Sequence, residues 1–336
     1  MTVIKAALLG FGTVGKGVYD AVQTHRQELK TLLGAEVEIA GVLIKDVKKE
    51  RNIEKHVLVT DCFDDILQIP GLDVVFEAIV GEEPGFSYLQ RAMEQGCDVV
   101  TANKVMFAKH GAQLLDIARE YGVKVGYEAT VAGGVPIIRT IAQQLQVNKI
   151  GRIQAILNGT SNYILTEMRK RDSEFQEVLQ QAQELGYAEA DPANDVEGND
   201  AFCKLMILSQ LAFGSQPEWK NVQVEGISRI TLEQVQAAKE KGLRYKHVAE
   251  AIKEGDEIRA SVRPVLTSAN HPLYSIEGVD NAIVIESSLA GTVTVQGPGA
   301  GSGPTASAML EDMAHIFQGA PATHPEKNRK KAAAYA

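Results

Sequence analysis

Val3 to Leu9 (VIKAALL) is a short apolar run, followed at once by Gly10-Phe11-Gly12-Thr13-Val14-Gly15 and a helix-like stretch, VGKGVYDAVQTHRQEL. Nothing else in the chain restricts the fold as strongly. Strand, GxGxxG and helix in that order are the opening of a βαβ unit that holds a dinucleotide. Each glycine has its own mechanical task. Gly10 permits the tight turn, Gly12 lets a pyrophosphate approach the backbone, and Gly15 lets helix and strand pack closely. The first helical N–H groups then face the anion. A glycine-rich turn without a ligand is the plainer alternative, and the position directly after a buried strand favours the dinucleotide.

Further strands are expected at Val37 to Ile44, Val57 to Val59, Asp73 to Ala78, Asp98 to Thr101 and Lys124 to Tyr127. Helical patterns fall between the later ones, at Pro84 to Gln95 and Lys109 to Tyr121. This alternation predicts a mostly parallel sheet with helices on both faces. The second strand ends at Lys45 and Asp46, with Lys48 and Lys49 close behind. A lysine at that edge suits the 2′-phosphate of NADP, whereas Asp46 leaves NAD open, and a solvated charged loop is the plainer alternative. The fifth strand runs through Thr101 into Ala102-Asn103-Lys104, where a doubly wound sheet lines its ligand crevice. Thr101 and Lys104 are cofactor-binding candidates there, Lys104 either facing both cofactor and substrate or standing as a solvated lysine at the start of a loop.

Glu128 to Pro136 (EATVAGGVP) is small and glycine-rich and marks the exit from the nucleotide domain. It is either a plain hinge or a turn whose carbonyls and one carboxylate could hold a hard cation. A helix is expected at Pro136 to Leu145, then a strand at Arg152 to Leu157 running into Asn158-Gly159-Thr160-Ser161-Asn162, with a helix from about Tyr163. An amphipathic helix follows at Ser173 to Leu185, and later strands at Ile258 to Leu266, Ala282 to Ser287 and Gly291 to Val295. A second glycine-rich turn, Gly297 to Thr305, leads into a final helix and offers another backbone approach to a cofactor, or else a linker.

The chemistry concentrates in Gly186 to Lys204, which carries Glu189, Asp191, Asp195, Glu197 and Asp200 and a single cation, Lys204. From Asp200 the chain is apolar nearly all round, so Asp200 and Lys204 are i and i+4 on one face of a buried helix. An amine held among carboxylates stays protonated and is placed to donate a proton. An ordinary helical ion pair is the plainer reading. A calcium loop fails on register: with Gly198 at the sixth position, Lys204 occupies the twelfth, where a carboxylate is needed.

Composition removes several function classes. The 34 basic and 43 acidic residues give a net charge of -9 with scattered cations, which argues against nucleic acid. The 3 cysteines, Cys62, Cys97 and Cys203, form no metal-ligand pattern and fit a reducing cytoplasm. No apolar run reaches the roughly 18 to 20 residues of a bilayer span, and no signal peptide is read before the first strand.

Taken together, Ala182, Gly186, Tyr187, Asp191-Pro192, Asp195, Gly198, Asp200 and Lys204 resemble the signature of homoserine dehydrogenase, and the likeness runs from about Val3 to Phe317. The resemblance implies reduction of L-aspartate 4-semialdehyde to L-homoserine with NADPH or NADH, on the route to threonine and methionine. It implies Lys204 as general acid and base, and Glu189 and Asp200 on the substrate ammonium with Asp195 in support. Thr160 and Tyr187 complete the expected substrate set, and Lys104 lies beside nicotinamide and substrate. Phe11, Gly12, Thr13 and Val14 would meet the pyrophosphate, Lys45 the 2′-phosphate, and Gly186 and Gly303 the far side of the nicotinamide. Glu128 with the carbonyls of Val131, Gly133 and Val135 matches a sodium site. The implied fold is α/β: a Rossmann-type doubly wound parallel sheet from residues 1–130 plus 303–318, and an inserted α+β domain, 131–302, for substrate binding and dimerisation. Residues 319–336 are expected to be a disordered tail. Ser302 departs from a glycine common in the late turn, Cys203 is expected to be a packed thiol, and feedback through a regulatory ACT domain is not expected. The rival readings are another amino-acid dehydrogenase, such as an aspartate dehydrogenase, and a non-catalytic dinucleotide sensor.

Overall fold

A computed structural model describes residues 2–318, so the tail expected at 319–336 lies outside the described residues. The chain divides into two compact units, Met1–Thr130 with the segment from Gly301 onward, and Val131–Ala300. The second break precedes the expected one at 302/303, because Gly301 is the N-cap of the last helix and belongs with it.

In the first unit, β1 (Val3–Leu9) buries Ala6, Ala7, Leu8 and Leu9, as a parallel strand covered on both faces must. It leads into α1 (Thr13–Thr24), α2 (Arg26–Leu33), β2 (Glu36–Leu43), β3 (Leu58–Thr60), α3 (Phe63–Leu67) and β4 (Leu72–Glu77). Then come α4 (Gly85–Glu94), β5 (Asp98–Thr101), α5 (Lys104–Tyr121) and β6 (Val125–Gly126). The six strands run in the order β3-β2-β1-β4-β5-β6, every pair parallel. Strand order reverses between β1 and β4, the switch point where such sheets bind ligands. Leu43, Leu9, Glu77 and Thr101 are in register across four strands, so their carboxyl ends form one edge.

Two expectations need correction here. The first helix does not run through to Leu29: His25, at φ -111 and ψ 27, breaks it into α1 and α2. The helix expected from Lys109 begins at Lys104, because the Asn103 side chain accepts from Met106 N at 3.1 Å and caps it.

The second unit opens with the helix expected at Pro136 to Leu145, present as one α turn, α6 (Ile137–Arg139), that runs directly into a π-helical turn, Thr140–Gln144. The Thr140 hydroxyl donates to the Pro136 carbonyl at 2.6 Å and competes with the helical ladder. Next are β7 (Ile150–Ile156), α7 (Gly159–Arg171), α8 (Phe175–Glu184), α9 (Ala193–Val196) and α10 (Asn199–Phe213). They are followed by β8 (Gln223–Val224), α11 (Leu232–Glu240), β9 (Arg244–Glu254), β10 (Glu257–Thr267), β11 (Asp280–Ser287) and β12 (Gly291–Pro298). The sheet order is β12-β11-β7-β9-β10-β8, antiparallel except for β10 with β8. Helices α7, α10 and α11 pack against this sheet. On the face carrying Ile156, Val248, Ala282 and Val284, Leu273 and Ile276 from the β10–β11 connection complete a small core.

The chain then returns to the first unit as α12 (Ser302–Phe317), whose Ala306, Met309 and Met313 join Val18, Val22, Leu8 and Phe76 in one core. Among the described residues no helix is long and apolar enough to cross a membrane.

Candidate active site

The first unit supplies the dinucleotide features. Gly10, at φ 94, turns the chain out of β1 while its N–H donates to Leu43 O at 2.9 Å. A Cβ on Gly15 would lie 2.0 Å from the Gly10 carbonyl oxygen, so α1 can approach the turn only with glycine there. A Cβ on Gly12 would meet no protein atom within 4 Å, so packing alone does not require glycine at that position. Gly12 caps α1 without a side chain, and in the first turn of that helix N-terminus Thr13 is exposed while Val14 is half-buried against the core. Phe11 meets Tyr19 edge-on at 5.5 Å. The Ser302 hydroxyl donates to Thr13 O at 3.1 Å, so the residue that departs from the common glycine ties α12, with Gly303 in its first turn, to this loop.

Lys45 is exposed just beyond β2. Asp46 turns its carboxylate into its own loop, where Oδ1 accepts from Lys48 N at 3.0 Å, and Arg51 donates to the Asp46 and Lys49 carbonyls at 2.7 and 2.8 Å.

At the carboxyl end of β4 stands Glu77, fully buried. Its Oε2 accepts from Thr101 Oγ1 at 2.5 Å, and Oε1 accepts from Ile79 N at 2.7 Å and Asn103 Nδ2 at 3.3 Å. The Thr101 hydroxyl is thereby spent on Glu77, and Lys104 follows the cap residue as the first residue of α5. Burial pushes the Glu77 carboxyl up to about 7, against the pull of these donors. A carboxyl raised in the folded state stabilises fully below its unfolded value near 4.5 and loses that contribution as pH rises through 7. Glu77→Gln, which does not titrate, is therefore expected to gain stability on the wild type by up to about 3 kcal/mol between pH 4.5 and 8. Urea unfolding of both proteins across that range measures it, and parallel stability curves would contradict it.

The second unit supplies the acid cluster. Lys204 and Asp200, one turn apart on α10, are 7% and 3% exposed. Lys204 Nζ donates to Asp200 Oδ2 at 2.8 Å and to the Leu157 carbonyl, just past β7, at 2.7 Å. The Asn158 amide donates to the same Asp200 oxygen at 2.9 Å and to Asp195 Oδ1 at 2.8 Å. Asn158 also caps α7, its Oδ1 accepting from Ser161 N at 2.8 Å, which starts that helix at Gly159 rather than near Tyr163. Ser161 Oγ donates to Asp195 O at 2.9 Å, and Thr160 Oγ1 to Tyr187 O at 2.6 Å. The end of β7, the start of α7, α9 and the first turn of α10 are thus bonded into one polar group within an apolar setting.

A family model described as "Homoserine dehydrogenase, NAD binding domain" matches residues 10–128, and one described as "Homoserine dehydrogenase" matches 136–314. The chain is 41% identical over 320 residues to the homoserine dehydrogenase of Bacillus subtilis, covering 95% of this chain and 74% of that one. It belongs to the homoserine dehydrogenase family. An NAD(+)-dependent homoserine dehydrogenase of Pseudomonas canavaninivorans is 37% identical, with 95% of this chain and 98% of the relative covered. The crystal structure of a homoserine dehydrogenase from Thiobacillus denitrificans superposes with a TM-score of 0.89 at 38% identity, over 95% of this chain and 74% of that one.

As a homoserine dehydrogenase, the chain has an NAD(P)-binding domain at its start. The structure brings together Asp195, Asp200 and Lys204, and links Thr160 to Tyr187. It does not bring in Glu189, which lies exposed on the α8–α9 loop. Its carbonyl accepts from Gln183, and among the described residues no hydrogen bond joins its carboxylate to the cluster. Gly186 is exposed at φ 76 in the same loop, and Tyr187 rests its ring on Tyr163 at 5.1 Å. Glu128 is buried in the first unit, while Val131, Gly133 and Val135 open the second, where Val135 N bonds Ala132 O at 2.9 Å. Two residues escaped the sequence reading. Asn158 sat in a run that resembles a turn, and Glu77 left one signal, a carboxylate after the apolar run Val74-Val75-Phe76 of the strand DVVFEA.

Proposed function

We propose that the chain catalyses the reversible, NAD(P)-linked reduction of L-aspartate 4-semialdehyde to L-homoserine. The observation that carries this reading is the buried Lys204 ammonium held between Asp200 Oδ2 and Leu157 O. When bound, the reduced nicotinamide supplies the hydride to the aldehyde carbon. Negative charge then grows on the carbonyl oxygen, and Lys204 neutralises it by donating a proton, which yields the hydroxyl of homoserine. In the opposite direction the same amine takes the hydroxyl proton. Asp195 and Asp200 favour a substrate that carries an ammonium group, which separates this reading from a simple hydroxy-acid dehydrogenase. An aspartate dehydrogenase is the rival. Initial rates with L-homoserine and with L-aspartate, in parallel, distinguish the two, and turnover of aspartate alone overturns the proposal.

NADP is the preferred cofactor in this reading. The support is an exposed Lys45 beside a loop in which Asp46 is committed to its own backbone and Arg51 adds a further cation. Lys45→Ala is expected to raise KM for NADP about tenfold and leave KM for NAD within about twofold, the loss of one charge-assisted hydrogen bond. Equal effects on both cofactors would remove Lys45 from phosphate recognition.

A sodium ion on Glu128 and the carbonyl oxygens of Val131, Gly133 and Val135 rests on donor chemistry, since hard oxygens that include a buried carboxylate suit a hard cation. Dimerisation through the second unit and a cytoplasmic location complete the reading, and light scattering of the purified protein tests the former.

A further inference from the structure

We propose that Glu77 is a positioning residue for the dinucleotide, the hub that holds the β4–α4 connection, the end of β5 and the first turn of α5 in a single arrangement. This rests on the reading of Thr101 and Lys104 as residues beside the cofactor, and deepens it.

A fully buried carboxylate at the carboxyl end of an inner strand of a parallel sheet is a costly choice where valine or leucine would pack. Its partners explain the choice. Thr101 Oγ1 already accepts from Asn103 N at 3.0 Å, so its one hydrogen goes to Glu77 Oε2. The other carboxylate oxygen takes two N–H donors, one from the Ile79 backbone and one from the Asn103 amide. The second hydrogen of that amide goes to Gly81 O at 2.7 Å, and the Asn103 oxygen caps α5. Three donors converge on two oxygens, so only an acceptor at both positions satisfies them. A glutamine would present its NH2 either to the Thr101 hydroxyl, whose hydrogen then has no acceptor, or to the Ile79 and Asn103 N–H groups. Either way a buried donor is stranded.

Neighbouring residues make room for this hub. A Cβ on Gly85, the first residue of α4, would lie 3.0 Å from Asn103 Nδ2 and 3.3 Å from Glu77 Oε1. The hub also lies on the functional edge: Glu77 is in register with Leu9, the residue before Gly10, and with Thr101. Ile79, Gly81, Thr101, Asn103 and, next in the chain, Lys104 all follow its position. The carboxylate thus turns three chain segments at the switch point into a preformed surface for the dinucleotide.

The test is binding of reduced nicotinamide dinucleotide, followed by its fluorescence, to the wild type, Glu77→Gln and Gly85→Ala at pH 8. Glu77→Gln is expected to weaken binding of NADPH and NADH alike by about tenfold, the cost of one stranded donor. Gly85→Ala, which removes no polar group and only pushes Asn103 and Glu77 apart, is expected to weaken it by about threefold. At saturating dinucleotide, KM for L-homoserine is expected to stay within about twofold of the wild type, a split that general loosening of the fold would not produce. Wild-type affinity in both variants would overturn the proposal, as would affinity losses that only track a falling melting temperature. Because binding is read without turnover, the inference can fail while homoserine oxidation stands, and can stand if another substrate is found.

Discussion

Lys204→Ala is expected to lower kcat for homoserine oxidation by about 10²- to 10⁴-fold and to leave dinucleotide affinity unchanged. The size follows from the task. A general acid placed at the reacting oxygen contributes roughly 3 to 5.5 kcal/mol of barrier lowering at 1.36 kcal/mol per decade. The place is set by two short bonds, to Asp200 and to the Leu157 carbonyl, so the amine is oriented before any substrate arrives. Lys204→Arg is expected to fail as well, because a guanidinium keeps its proton and cannot act as the base. Steady-state kinetics of both variants, with dinucleotide binding measured separately, provide the check. Near wild-type turnover in either variant removes Lys204 from the proton transfer.

Asp200→Ala is expected to destabilise the protein by about 3 to 5 kcal/mol, the cost of leaving a buried charge without its partner. Lys204 would remain inside with a carbonyl alone among these partners, and the Asn158 amide would lose one of its two carboxylate acceptors. A second substitution separates the stability role from the catalytic one. With Asp200→Leu and Lys204→Met combined, an apolar pair of similar bulk replaces the ions, and most of the stability is expected to return while activity does not. Urea unfolding midpoints of the two variants measure this. A single Asp200→Ala variant as stable as the wild type would show that the pair is solvated in solution.

Much of this architecture is legible in the chain because local rules agree with one another. VIKAALL followed by GxGxxG leaves few options, and the close approach at Gly15 shows why: its Cβ would collide with Gly10, five residues earlier. Asp200 and Lys204 are neighbours by helical spacing alone. What the sequence hides depends on partners far along the chain. Asn158 joins Asp195 and Asp200, 37 and 42 residues away, and nothing in NGTSN announces that. Strand β9 escaped for a similar reason, since RYKHVAEAIKE is dense in charge and lacks a strand's alternation. Its Lys246 is buried only because the Ile276 carbonyl and Asn162 Oδ1 accept its protons. The exposed Glu189 shows the converse: a family motif names a residue type, while the loop decides where its carboxylate lies.

The most direct test is a stoichiometric one in the reductive direction. Purified protein is mixed with L-aspartate 4-semialdehyde and limiting NADPH, loss of the reduced nicotinamide is followed optically, and the amino-acid product is identified by mass spectrometry. The account predicts one L-homoserine for each NADPH consumed, and no such product from Lys204→Ala on the same time scale. Oxidation of NADPH without homoserine, or none despite tight cofactor binding, would contradict it.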